Sequence, residues 1–125
     1  MLRIAVWHHA LGDLDDLGFL SHLRQAGVRL VLHGDVHDVR AEVTDYLHPE
    51  SCVYSIGAGS FGASANQLAY ATPRLYNLLE IQPDRKTVRV YVRQQSTLDS
   101  AWEGLHEWRD SGFAGKVPYF DIPIA

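Results

Sequence analysis

The opening of the chain constrains the fold more than any other stretch. Leu2 to Trp7 is a short apolar run, and Val28 to Leu32 is a second. Runs of this length suit buried strands. Between them, "GDLDDLGFLSHLRQAG" carries helix signals. Asp13 is placed to cap a helix N-terminus, and Asp15 and Asp16 fall in its first turn, where the helix dipole favours acids. Leu14, Leu17, Leu20 and Leu23 recur every third residue and make one apolar face. Gly27 follows as a stop, because glycine adopts the left-handed conformation that ends helices. Strand, helix, strand within about thirty residues is a βαβ unit with a right-handed crossover. The second strand is nearly all apolar, as in a parallel pair covered on both faces.

Beyond this unit the character changes. Val39 to Tyr46 alternates loosely, and Cys52 to Ile56 reads as a further short strand. Leu75 to Gln82 and Val88 to Arg93 flank "PDRK", where Pro83 and Asp84 favour a turn. In the second arm Val88, Val90 and Val92 share one face, and Arg89, Tyr91 and Arg93 the other. These features predict an antiparallel hairpin with one half-buried face. "VPYFDIPI" suits a last edge strand, since Pro118 and Pro123 are tolerated only there. No repeats or low-complexity linkers interrupt the chain. The predicted fold class is α/β, a mixed sheet with a βαβ opening followed by antiparallel strands and a hairpin. Residues 1–125 are read as one domain, a size that buries roughly two-thirds of the unfolded surface.

Charge and cysteine content narrow the function. A net charge of −4 without a basic stripe makes nucleic-acid binding unlikely on electrostatic grounds. No apolar stretch approaches the roughly 20 residues needed to span a bilayer. "MLRIAVWHH" lacks the cleavage site and apolar length of a signal peptide. The single cysteine, Cys52, allows no intrachain disulfide and suits a reducing cytosol, so a cytoplasmic location is expected. A strand that begins almost at residue 1 is unusual, which leads us to expect a piece of something longer.

Two clusters could carry chemistry. His8 and His9 follow the first strand, and "HGDVHD" follows the second. Ligands bind at strand C-terminal ends in parallel α/β sheets. If the two strands are adjacent and parallel, both clusters lie at one sheet edge. Imidazole nitrogen with carboxylate oxygen suits Zn, Mn, Fe or Co. One such cluster alone is more often structural, since end-of-strand histidines bond to backbone and Gly34-Asp35 is an ordinary turn pair. Two at one edge favour a site. His33 is read as the last structural residue of its strand.

The other motifs are weaker. Gly57, Gly59 and Gly62 satisfy G-x-G-x-x-G after a strand. A dinucleotide site also needs a helix opening inside the motif and an acid ending the next strand. Neither is present, so these glycines more simply allow close backbone approach. Ser60 lacks the spacing of a nucleophile elbow. Trp102, Trp108, Tyr119 and Phe120 are read as core caps.

"RIAVWHHAL", "LVLHGDVHD", "YSIGAGSFGA" and "YNLLEIQPDRKTVRVYVR", in this order, resemble the C-terminal half of calcineurin-like metallophosphoesterases. The tail, "AWEG" to "PYFDIPI", looks like the ending of bacterial members. The resemblance implies half of a four-layer sandwich of two mixed sheets flanked by helices. It implies phosphomonoester or phosphodiester hydrolysis at a two-metal centre holding Mn, Fe or Zn, where the metals activate water and clamp phosphoryl oxygens. By resemblance, His8 is the metal ligand of the family's "HH" segment. Asp35 and His37 occupy the family's G-H-x-H motif, with Asp35 in place of its first histidine.

The family's D-x-H, G-D-x-x-D and G-N-H-D/E motifs are absent. "GDLDD" at residues 12–16 follows the "HH" segment and is read as a helix start. His8, Asp35 and His37 therefore form at most one side of the centre. No catalytic residue is assigned, and the isolated chain is expected to be catalytically silent, possessing no complete metal site of its own. Two partners are expected: a second copy, joined through a sheet face left exposed, or an N-terminal half carrying the missing motifs. A degenerate, non-catalytic interaction or regulatory module is the alternative, motivated by Asp35. An unrelated small metal-binding α/β domain is a third reading.

Overall fold

The computed structural model describes residues 1–10, 13–14, 18–34, 40–44, 52–62, 72–84, 86–110, 112 and 114–124. Strand β1 (Arg3–Trp7), helix α1 (Phe19–Gln25) and strand β2 (Val28–His33) form the opening unit. β1 and β2 pair in parallel. Next come β3 (Arg40–Thr44) and β4 (Val53–Gly57), with β4 parallel to β2 and β3 antiparallel to β4. The first sheet thus runs β1-β2-β4-β3. The mixed α/β class read from the sequence is the class of the fold.

The helix is shorter than the leucine spacing predicts. It begins at Phe19 after Gly18, with no side-chain cap and no acid in its first turn. Asp13 does not cap it. Its backbone N–H instead donates to the Ala10 carbonyl at 3.1 Å, within a separate turn. Gly18 explains the break, since glycine loses the most backbone freedom in a helix interior and is better placed at its boundary. Asp15, Asp16 and Leu17 lie outside the described residues. The predicted stop holds: Gly27 has φ +75°, the left-handed conformation.

β5 (Arg74–Ile81) and β6 (Thr87–Gln95) form the predicted antiparallel hairpin. Its turn is held by the Lys86 N–H donating to Asp84 Oδ1 at 2.8 Å. Two-residue strands β7 (Glu103–Gly104), β8 (Trp108–Arg109) and β9 (Lys116–Val117) follow, and β10 (Tyr119–Pro123) closes the second sheet. Its order is β10-β6-β5, so Pro123 does lie on an edge strand. There it removes no ladder bond on the open side.

Alternation within this sheet decides what it buries. Val88, Val90 and Val92 are all at most 1% exposed. They join Leu30 and Ile56 of the first sheet in one core with Leu75, Ile122 and Ile124. Each such side chain contributes about 1.5–3 kcal/mol by leaving water. On the other side of the first sheet, Val28, Val31 and Val53 pack with Ala5, Trp7 and Leu23 of α1. The order of layers is therefore helix, first sheet, second sheet.

This packing corrects one expectation. The inner face of the first sheet is not left bare for a second copy, because the hairpin sheet of the same chain covers it. Among the described residues, apolar exposure appears instead on two edge strands, at Ile4 and Val6 of β1 and at Leu78 and Ile81 of β5. The aromatic residues divide. Trp108 and Phe120 meet at a tilt of 59° with centroids 4.7 Å apart and pack on the core. Trp102 joins Phe61 and Tyr76 in a cluster that includes exposed Phe61.

Candidate functional site

Parallel pairing aligns the strand ends. Trp7 is the register partner of His33, and His33 is the partner of Gly57. The segments that leave β1 and β2 therefore emerge side by side at the C-terminal edge of the sheet. His8 packs directly against the start of the second segment. A Cβ built on Gly34 would lie 3.6 Å from His8 Nδ1 and 3.6 Å from the His8 carbonyl oxygen. The His8 and His9 rings meet edge to face, with centroids 4.9 Å apart.

His33 behaves as the structural residue that the sequence suggests. It is 5% exposed, and its Nδ1 lies 2.9 Å from the Gly34 carbonyl oxygen. A carbonyl only accepts, so Nδ1 carries the proton in this contact. The His33 carbonyl in turn accepts from the Ala58 N–H at 3.2 Å. His33 thus fastens the end of β2 to both the following loop and the residue after β4. Nearby on the helix-facing side, Trp7 Nε1 and Ser55 Oγ are buried with no hydrogen-bond partner among the described residues.

Of the three ligands implied by resemblance, His8 is placed at this edge. Asp35 and His37 lie outside the described residues. Among the described residues, no group of three or more His, Cys, Asp or Glu side chains is arranged to share a metal ion. A catalytic metal takes about three protein ligands. Of the three candidate ligands, the described residues supply His8 alone.

The glycine motif has the role expected of it at one position. A Cβ on Gly59 would come within 2.5 Å of Leu75 Cβ, whereas one on Gly62 would meet nothing within 4 Å among the described residues. Gly59 lets the loop after β4 lie against β5. Close by, Asn77 Nδ2 donates to the Gly57 carbonyl at 3.3 Å, tying the second sheet to the first.

A second polar constellation escaped sequence reasoning. Arg89 forks onto Asp121 at 2.8 and 2.9 Å. Its guanidinium carbon sits 4.0 Å from the centre of the Tyr119 ring, and Tyr119 donates its hydroxyl proton to Asp110 Oδ2 at 3.0 Å. The Asp121 contact holds the Arg89 guanidinium protonated, well above its usual range. The hydrogen bond to Asp110, aided by desolvation, raises the Tyr119 phenol. Trp108, Arg109, Asp110, Tyr119, Phe120 and Asp121 line a cleft of about 430 Å³ here. The signal was the outward alternation of Arg89 and Tyr91, but its partner strand lies 32 residues on in sequence.

The architecture defines a mixed α/β domain of two facing sheets with a histidine-bearing strand edge. No family model matches the chain, and no curated protein matches it. Two similar solved structures are crystal structures of Vps29 from Entamoeba histolytica, one a single and one a double mutant. The single mutant has a TM-score of 0.49 and 20% identity, with 80% of this chain covered and 51% of that chain. The double mutant has a TM-score of 0.46 and 19% identity, with 76% and 48% covered. The chain therefore spans about half the length of these structures. At this identity the likeness is one of backbone arrangement and carries no chemistry with it.

Proposed function

We propose that the chain is the C-terminal portion of a calcineurin-like metallophosphoesterase fold. In this reading it supplies one side of a two-metal phosphoesterase centre and is inactive alone. The observation that supports it is the Trp7–His33 register, which sets the ends of β1 and β2, followed by His8 and Gly34, at one sheet edge. His8, Asp35 and His37 would be its metal ligands, with Mn, Fe or Zn as the divalent ions. An N-terminal half carrying D-x-H, G-D-x-x-D and G-N-H-D/E would supply the remainder, in the cytoplasm. No helix of the described structure is long and apolar enough to cross a membrane.

The test is reconstitution. The chain alone should leave a chromogenic phosphodiester intact with Mn present. Co-expressed with an N-terminal half bearing the three motifs, it should yield Mn-dependent hydrolysis, lost on His8→Ala or His37→Ala. A complex that forms stably yet never hydrolyses the ester would sink this reading. That outcome would favour the second one, a non-catalytic interaction module, for which Asp35 in the place of a family histidine speaks. A carboxylate there adds negative charge where a phosphate would enter.

A further inference from the structure

The short ribbon of β8 and β9 carries an electrostatic conflict. Arg109 and Lys116 are register partners across this antiparallel pair. Residues directly opposite each other share a face, with Cβ atoms about 5 Å apart, and like charges placed so repel. Both side chains are exposed. Water weakens the repulsion but does not reverse its sign. Among the described residues the ion pair is Arg89–Asp121, and neither Arg109 nor Lys116 meets a carboxylate.

Arg109 also stands in the wall of the cleft of about 430 Å³ that Trp108, Asp110, Tyr119, Phe120 and Asp121 complete. A volume in this range accepts a small molecule, and such sites join aromatic walls to a few polar groups. The two carboxylates of the wall are engaged. Asp121 receives the Arg89 fork on both oxygens. Asp110 accepts the Tyr119 hydroxyl at Oδ2 and the Gly112 N–H, at 3.4 Å, at Oδ1. A cationic occupant would have to compete with Arg89 for Asp121. The charge left open at this corner is positive, against a chain of net charge −4.

We propose that this cleft binds a small aromatic phosphate. Its phosphate lies between Arg109 and Lys116, and its ring enters the cleft walled by Trp108, Tyr119 and Phe120. A phosphate carries enough negative charge to answer two cations at once. It also offers the paired oxygens that a guanidinium fork grips. The cleft supplies the apolar surface that a flat ring needs, so ring and phosphate should bind better joined than the phosphate alone. The site belongs to β8, β9 and β10, and the inference does not depend on the phosphoesterase reading.

Titration of the full chain with phenyl phosphate, followed by amide NMR shifts, tests it. A ligand of this size should bind with a dissociation constant on the order of 1 mM. The signals of Arg109, Lys116 and Phe120 should move together and saturate. Inorganic phosphate should bind about fivefold more weakly, or less well still, because it leaves the aromatic wall uncovered. Arg109→Gln and Lys116→Gln should each weaken phenyl phosphate about fivefold or more. Arg109→Lys, which keeps the charge and loses the fork, should weaken it less than Arg109→Gln. All three variants should keep the parent circular dichroism, because both positions are exposed. His8→Ala should leave the binding unchanged, which separates this site from the strand edge. The absence of a saturable shift up to about 20 mM would overturn the proposal. So would shifts centred on His8 and His33, equal binding of inorganic phosphate, or binding indifferent to both glutamine variants.

Discussion

Trp7 and His33 are register partners at the C-terminal ends of two parallel strands. Through Gly57 and Arg40 the same row crosses the whole first sheet. His33 is a buried side chain in this row and donates from Nδ1 to the carbonyl of Gly34. Its replacement by alanine leaves a gap and frees a half-buried carbonyl. We expect His33→Ala to cost about 1–3 kcal/mol, measured by urea denaturation. His8→Ala, at an exposed position just after β1, should cost less. Equal losses would show that His33 is not the fastening residue.

Gly27 closes α1 in the left-handed conformation, at φ +75°. Its substitution by alanine should cost about 1–2 kcal/mol, because Cβ then crowds the following carbonyl. Gly27→Asn should cost less, since asparagine tolerates this region. Thermal melts of the two variants against the parent give the order directly. Space alone would not predict it, as the nearest atom to a Cβ there is 3.7 Å away.

Gly59 and Gly62 belong to one motif but should answer substitution differently. At Gly59 a methyl group would overlap Leu75, a residue only 2% exposed. Leu75 is anchored in the shared core, so the overlap forces backbone or rotamer shifts. Gly59→Ala should cost about 1–3 kcal/mol, the range for overpacked cores. Gly62→Ala meets open space and should change stability by less than about 0.5 kcal/mol. Paired denaturation curves decide the matter.

Tyr119 should titrate above the ordinary tyrosine value of 10.0, first because its hydroxyl donates to Asp110. The folded state therefore holds this proton to higher pH than the unfolded state. The stabilisation is fully present below the unfolded value near 10 and is lost as pH rises through the folded one. Asp110→Ala should move one phenol's absorbance transition downward in an alkaline titration. Tyr54, raised chiefly by burial, should not follow.

Legibility tracked sequence distance. The βαβ unit, the Gly27 stop and the hairpin at Pro83 and Asp84 were readable because their causes are local. The leucine spacing points to a longer α1 than the helix that begins at Phe19, because a period does not register the break at Gly18. At the site, the common strand edge of His8 and Gly34 followed from the βαβ pattern, and the structural role of His33 from its place at the end of β2. The Arg89–Asp121–Tyr119–Asp110 constellation was not readable. It exists only because β10 returns to lie beside β6, and neither strand states that pairing by itself.

The amino-acid sequence by itself determined the element types, the faces that alternate in β6, and which strand ends carry histidines. These depend on side-chain period and on backbone preferences at single residues, which act over a turn or a strand. Only the tertiary structure decided that β3 flanks β4 from the outer edge and that the hairpin sheet covers Leu30 and Ile56. It also left Ile4 and Val6 of β1, and Leu78 and Ile81 of β5, exposed among the described residues. Those outcomes rest on which apolar faces find each other across the chain. The hydrophobic effect that brings them together is proportional to area and has no direction, so it writes no local signature in the sequence.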